Sequence, residues 1–139
     1  MLRRTAVEKR ICDRREAQTA GKISESTNID DFDTHTVAGA IEYIIAYAKN
    51  TWNCPVLFYT NPQYDSTEYE KMVRLLAEIE KKWEIGVIDM WNNESFNELS
   101  EEQYHLYMAD SIHPTKAGYL KWWLPYIESE IEDYYQKIE

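Results

Sequence analysis

A carboxylate and an imidazole lie three residues apart near the end of the chain, as Asp110 and His113. A histidine has a free pKa near neutrality, so its ring can take a proton from a hydroxyl and return it to a leaving group. A neighbouring carboxylate can fix the tautomer of that ring. Pro114 follows and predicts that a helical turn begins there, on a corner that holds His113. The spacing fits an ordinary helix start equally well, with Asp110 as a cap.

The length and composition bound what this chain is. Its 139 residues with 44% hydrophobic content favour one globular domain. No apolar run is long enough to span a bilayer, and no signal peptide is present, so a cytoplasmic location is the default, with secretion of a longer parent protein left open. Three His and two Cys, all far apart, show no zinc-ligand spacing, so we expect no metal and no cofactor.

Charge divides the chain into two parts. Residues 1–22 carry seven basic and three acidic side chains, whereas residues 23–139 carry eight and 22. We expect residues 1–22 to be a solvated extension, disordered in part, and residues 23–139 to form the folded domain. The net charge of −10 argues against a nucleic-acid surface.

The apolar pattern predicts helices alternating with short strands. Helical spacing predicts helices over about 36–50, 66–83 and 115–137, and continuous apolar runs predict buried parallel strands at 55–60 and 85–90. Pro125 should bend the last helix, because it has no N–H to donate.

Three further residues are candidates for substrate binding. Asn61 follows the first predicted strand, where open α/β sheets bind ligands, although a turn role before Pro62 is the alternative. Trp91 and Tyr107 lie in the long connection at 91–108, with Tyr104. These aromatic rings either line an apolar cleft or plug the space under the loop.

The segment Asp110-Ser-Ile-His113-Pro114, followed by Thr115-Lys-Ala-Gly-Tyr, resembles the last block of the SGNH (GDSL-type) serine hydrolases. The order of the elements before it is similar as well, from Phe32-Asp33-Thr34 through Tyr59-Thr60-Asn61-Pro62. The resemblance implies a flavodoxin-like three-layer α/β/α fold, of which residues 23–139 would hold only the last parallel strands and their helices. It also implies hydrolysis of a carbohydrate or lipid ester, with His113 as general base and Asp110 as its partner.

The departures from that family are equally clear. The chain contains no Gly-Asp-Ser, which carries the nucleophile in the family, and no Gly-x-Asn-Asp, which serves the oxyanion hole. We therefore expect a truncated member that alone has little or no activity. The alternative is an inactive module that binds a ligand or assembles. An unpaired strand edge at 55–60 would favour pairing with another chain, as in a homo-oligomer.

Overall fold

The computed structural model describes residues 19–139. A short 3-10 turn, Ile29–Asp31, precedes α1 (Val37–Trp52), β1 (Leu57–Tyr59), α2 (Thr67–Trp83) and β2 (Gly86–Ile88). Two short helices follow, α3 (Glu94–Asn97) and α4 (Glu101–Tyr107). The chain ends in a continuous helical segment made of α5 (Lys116–Gly118), a π-helical turn (Tyr119–Trp123) and α6 (Leu124–Ile138).

Hydroxyl side chains start the two long central helices. Thr36 accepts a hydrogen bond from the N–H of Gly39 and so caps α1, while Ser66 accepts one from Tyr69 and caps α2. Each helix ends at a residue with left-handed backbone, Asn53 at φ 47° and Glu84 at φ 51°. The predicted helices at 36–50 and 66–83 are therefore confirmed to within a turn.

The sheet has two parallel strands only. Leu57 pairs with Gly86, Phe58 with Val87 and Tyr59 with Ile88. Both predicted strands exist, but each is three residues long, shorter than the apolar run that predicted it.

Helices cover both faces of this sheet. On one face, Ile45 of α1 packs with Leu76 and Ile79 of α2 and with Ile85. On the other face, Ile88 and Met90 pack against Trp123 of the π-helical turn. The core is thus divided into two small clusters by the sheet.

The last helix is irregular next to Pro125, where the sequence predicts a bend. A π-helical turn precedes the proline, and the N–H of Leu124 donates to the carbonyl of Tyr119, five residues back. Proline cannot donate, and its ring clashes with the carbonyl of the residue four positions before it. The widened turn accommodates both effects within a continuous helix.

The expected three-layer α/β/α fold of the SGNH type is wrong for this chain. The structure is mostly helical, and its sheet consists of two three-residue strands rather than the broad parallel sheet of that fold. The physical reason lies in the ladder. A strand extends only as far as a partner pairs with it, and within residues 19–139 each strand has the other as its partner.

A buried ion pair fixes the segment before α1. Glu42 is fully buried and accepts hydrogen bonds from the Lys82 ammonium, from the indole N–H of Trp83 at 3.0 Å and from the N–H of Ser24 at 2.9 Å. Lys82 also donates to the carbonyls of Ser24 and Ser26, both at 2.7 Å. This cluster ties residues 24–26 to α1 and α2.

The predicted N-terminal extension falls mostly outside the described residues. Residues 1–18 lie outside them, and these include Cys12 and six of the seven basic side chains of the predicted extension. The carbonyls of Thr19 and Ala20 accept hydrogen bonds from the N–H groups of Val37 and Ala38, at 3.3 and 2.9 Å. Residues 19 and 20 therefore contact the start of α1.

Candidate functional site: the Asp110–His113 turn

Asp110 organises the turn between α4 and α5 through its own side chain. One carboxylate oxygen, Oδ1, accepts hydrogen bonds from the N–H groups of Ile112 at 2.8 Å and His113 at 2.7 Å. Asp favours such turns because its short side chain can accept from the backbone two or three residues further on. The backbone that carries His113 is thereby folded back towards Asp110.

The neck of this turn is closed by backbone pairing. Ala109 N–H donates to the carbonyl of His113 at 2.8 Å, and Thr115 N–H donates to the carbonyl of Tyr107 at 2.7 Å. Met108 and Pro114 form an antiparallel bridge between these two bonds. Pro114 is thus part of the neck. The sequence predicted that a helical turn begins at Pro114, but α5 begins two residues later, since Thr115 caps it by accepting from the N–H of Gly118.

The two predicted catalytic side chains contact each other. His113 Nδ1 lies 2.8 Å from Asp110 Oδ2 and 3.0 Å from Oδ1. The other ring nitrogen, Nε2, is therefore the one that faces away from the carboxylate. The side chains of His113 and Asp110 are 71% and 56% exposed, so solvent or a second molecule can reach this nitrogen.

The turn also sets the charge of Asp110. Its pKa is lowered to about 2, first by the hydrogen bond from the N–H of His113, then by that from Ile112 and by the contact with the His113 ring. Each of these donors stabilises the ionised carboxylate. Asp110 is therefore an anion over the whole range in which an imidazole titrates.

A cleft lies beside this turn. It has a volume of about 260 Å³ and is lined by Ser111 and Ile112 of the turn and by Pro62–Asp65 of the loop after β1. The walls also include Leu99, Tyr104, Met108 and Trp122, so the lining is a mixture of apolar and polar side chains. The cleft thus joins the Asp110–His113 turn to the carboxyl end of β1.

Asn97 fixes the loops that form this cleft. Its side-chain carbonyl accepts from the N–H of Gln63 at 2.8 Å, and its amide donates to the carbonyls of Met90 at 2.7 Å and Asn93 at 2.8 Å. Sequence reasoning missed Asn97, and no signal marks it, because its partners lie on loops brought together by the sheet.

Asn61 follows β1 by two residues, at the carboxyl end of the strand, and its N–H donates to the Tyr69 hydroxyl at 2.8 Å. Trp91 is 6% exposed, and its ring contacts those of Tyr64 and Tyr69 with centroids 5.5 and 5.2 Å away. Its indole borders a second, larger cavity of about 460 Å³. Within residues 19–139, no hydrogen bond joins Asn61 or Trp91 to Asp110 or His113. Their predicted role in substrate binding stays a prediction.

Tyr107 lies at the neck of the turn, three residues before Asp110. Its ring stacks on that of Trp122, with centroids 6.1 Å apart and planes 13° apart. Trp122 in turn stacks on Phe96 and donates from its indole N–H to the Phe96 carbonyl at 2.9 Å. Of the three predicted substrate-binding residues, Tyr107 is therefore the one whose backbone forms part of the turn itself.

Comparison with known proteins gives a fold and no family. No protein-family model and no curated protein matches the sequence. Among solved structures, a crystal structure of a protein from Lactobacillus plantarum, a structural-genomics target, superposes with a TM-score of 0.63 at 15% identity. The match covers 88% of this chain and 61% of that one, so this chain spans less than two thirds of the length of its structural neighbour. At this identity the likeness shows a shared fold alone.

None of the helices within residues 19–139 combines the length and the apolar character that crossing a bilayer requires. The predicted lack of a membrane-spanning helix is confirmed for that range.

Proposed function

We propose that the Asp110–His113 turn is the acid–base part of a serine-type ester hydrolase related to the SGNH class. His113 acts as the general base, and Asp110 holds its ring. The substrate class is an acyl ester of a carbohydrate or a lipid. The observation that carries the proposal is the 2.8 Å contact between Asp110 Oδ2 and His113 Nδ1, which leaves Nε2 directed away from the carboxylate.

The chemistry follows from that geometry. Nε2 accepts the proton of a hydroxyl whose oxygen attacks the ester carbonyl carbon, and the resulting imidazolium is stabilised by the Asp110 carboxylate. When the tetrahedral intermediate collapses, the imidazolium returns the proton to the leaving alkoxide. Asp110 stays ionised throughout, since its pKa of about 2 lies far below that of an imidazole.

The attacking hydroxyl is the missing part. The chain has seven serines, all within residues 19–139, and none is hydrogen-bonded to the His113 ring, whose side-chain partner is Asp110. Ser111 lies inside the turn, two residues before His113, too close along the chain for an in-line attack. We therefore propose that the nucleophile comes from polypeptide other than residues 1–139.

An ester assay tests this proposal. Without its nucleophile, the Asp110–His113 pair can still activate a water molecule, so we expect weak turnover of p-nitrophenyl acetate, about 10⁶-fold below that of a complete triad. This rate should fall in His113→Ala to the level that exposed histidines outside the turn sustain, and it should drop several-fold in Asp110→Asn.

His105 supplies the matched control for that assay. It is an exposed histidine of α4 with a carboxylate, Glu101, 4.0 Å away, but it lies outside the turn. His105→Ala should keep the wild-type rate. Equal rates in His113→Ala and His105→Ala would contradict a special role for the Asp110–His113 pair, and fast turnover abolished by His113→Ala would show that the chain contains its own nucleophile.

A non-catalytic role is the second candidate. It is favoured by one observation, the uncovered apolar surface on α1 and beside β1. If all four proteins in the ester assay behave alike, a binding or assembling module becomes the better description.

A further inference from the structure

We infer that the open edge of β1, together with the apolar surfaces on either side of it, is the interface through which two copies of this chain form a two-fold symmetric dimer. The interface is independent of the ester chemistry proposed above. It rests on three features: the direction of the β1 backbone groups, the distribution of exposed apolar side chains and the absence of charge on the exposed surface of α1.

The backbone of β1 has one free edge within the described residues. The N–H of Thr60 donates to Ile88 and the carbonyl of Val56 accepts from Gly86, so the even-numbered residues point to β2. Neighbouring residues on a strand direct their polar groups to opposite edges. Leu57 and Tyr59 therefore present N–H and C=O groups to the edge away from β2, where residues 19–139 supply no partner.

The surface of α1 is the second feature. Tyr43, Ile44, Tyr47 and Trp52 are exposed by 39–65%, and Tyr47 contacts the rings of both Tyr43 and Trp52. Ile44 continues the stripe that includes the buried Ile45 and Ala48, so the uncovered surface adjoins the core.

Apolar side chains are also exposed on the Trp123 side of the sheet. Tyr59 is 56% exposed, and its ring contacts that of Trp123, which also contacts the ring of the exposed Tyr119. Leu120 and Leu124, one turn apart on the last helix, extend this patch. Apolar surface thus lies on both sides of the free edge.

Charge distinguishes a second copy from other occupants. The exposed residues of α1 carry no charge. Its two charged side chains point elsewhere, since Glu42 pairs with Lys82 and Lys49 donates to the carbonyl of Trp83. A chain of net charge −10 repels its own copy, so a self-contact must be free of charge where like surfaces meet. By contrast, α2 exposes Lys71, Arg74 and Glu78.

The strand geometry accepts a two-fold axis. An axis through Phe58, perpendicular to the sheet, places Leu57 opposite Tyr59 of the second copy, and such antiparallel pairs exchange both N–H···O bonds. Opposed residues share a face of the sheet. Leu57 and Tyr59 both lie on the Trp123 side, so the pairing is consistent with the side-chain positions. Since α2 packs on β2 and α1 packs beside α2, α1 lies towards the free edge of β1, and the same axis brings it towards its own copy.

The area is sufficient for such an interface. The eight exposed aromatic and aliphatic side chains named above, four on α1 and four around Tyr59, have an accessible surface on the order of 700 Å² per copy. This is close to the roughly 800 Å² that each partner contributes to a stable complex. The outer edge of β2 is a weaker candidate, since Glu80, Glu130 and Lys137 line the cavity beside it.

Light scattering of the full 139-residue chain tests the inference. We expect a particle of twice the 16.6 kDa chain mass that dissociates on dilution. Ile44→Asp should raise the dimer dissociation constant about tenfold or more, because the two-fold axis brings the two introduced charges together. Ala77→Asp, on the exposed and charged surface of α2, is the matched control and should leave the dissociation constant within about twofold.

A second variant tests the strand edge directly. Tyr59→Pro removes an N–H that points away from β2, so the monomer keeps its own ladder while the dimer loses hydrogen bonds. We expect a folded, monomeric Tyr59→Pro by circular dichroism and light scattering. Hydrogen exchange should show the Leu57 and Tyr59 amides protected in the wild-type dimer.

Several outcomes would overturn the inference. A wild-type monomer with fast exchange at Leu57 and Tyr59 means that nothing covers the edge. A monomer in which these amides are protected means that residues 1–18 cover it instead of a second copy. A ladder of larger oligomers means that the contact does not close, which excludes the two-fold arrangement.

Discussion

At the scale of single residues, the Asp110 carboxylate accepts from the N–H groups of Ile112 and His113 and contacts the His113 ring. These contacts are local, within three residues, and for that reason the spacing of Asp110 and His113 was enough to indicate that their side chains could meet. The contact of Asn97 with Gln63 joins residues 34 positions apart and left no trace in the sequence. Predictability at this site therefore follows sequence separation.

The acid titration of Asp110 is a prediction at this scale. Its folded pKa of about 2 lies below the usual value of about 3.9, so its contribution to stability is present above about pH 4 and is lost as the pH falls towards 2. Carboxyl ¹³C shifts measured from pH 1 to 6 should give a midpoint near 2 for the signal that disappears in Asp110→Asn. A midpoint near 4 would mean that the turn does not form in solution.

The buried Glu42 gives a second prediction. In Glu42→Gln one of the two carboxylate oxygens becomes an NH₂ group, which cannot accept a hydrogen bond. At least one of the three donors, from Ser24, Lys82 and Trp83, then loses its acceptor. We expect a loss of about 2–4 kcal/mol in the free energy of unfolding by urea titration. Glu70→Gln breaks the exposed pair with Arg74 and should cost less than about 0.5 kcal/mol. Equal effects of the two variants would show that the Glu42 cluster is open to water.

At the scale of elements, capping residues and apolar periodicity predicted the two central helices well. Thr36 and Ser66 sit where the helix starts were expected. The strands were predicted too long and the sheet too broad, because an apolar run records burial, whereas a ladder requires a neighbour that a single sequence does not show. The sequence predicted a bend at Pro125, and the structure has a π-helical turn directly before it.

Gly118 positions the last helical segment against the neck of the turn. A Cβ added there would lie 2.2 Å from the Tyr107 carbonyl oxygen, a backbone atom that cannot move aside without opening the neck. Gly118→Ala should therefore destabilise the fold by about 1–3 kcal/mol, although alanine is the better helix former. Ser129→Ala, at an exposed position of α6, is the control and should be neutral or slightly stabilising. Thermal unfolding of the two variants separates these outcomes, and a stabilised Gly118→Ala would contradict the close approach.

At the scale of the whole molecule, the apolar stripes of α1 and the last helix are wider than the core that the described residues form. Ile44, Leu120 and Leu124 belong to these stripes and remain exposed. Periodicity therefore predicted more apolar surface than the core of residues 19–139 buries, and this excess is what motivates the proposed dimer.

Dimer formation makes the melting temperature depend on concentration. Because association stabilises only folded chains, the midpoint should rise by about 2–4 °C for each tenfold increase in concentration. Ile44→Asp should remove this dependence, while Ala77→Asp should keep it. A wild-type midpoint that does not change with concentration would contradict the association.

¹⁵N chemical shifts of the imidazole rings show whether Asp110 holds His113 with Nε2 as the free base. At a pH where the ring is neutral, we expect His113 to carry its proton on Nδ1, facing Asp110, and we expect Asp110→Asn to reduce this preference. His105, outside the turn, should not respond to that substitution. A neutral His113 protonated on Nε2 in the wild-type protein, or shifts unchanged by Asp110→Asn, would rule out the proposed role of the pair.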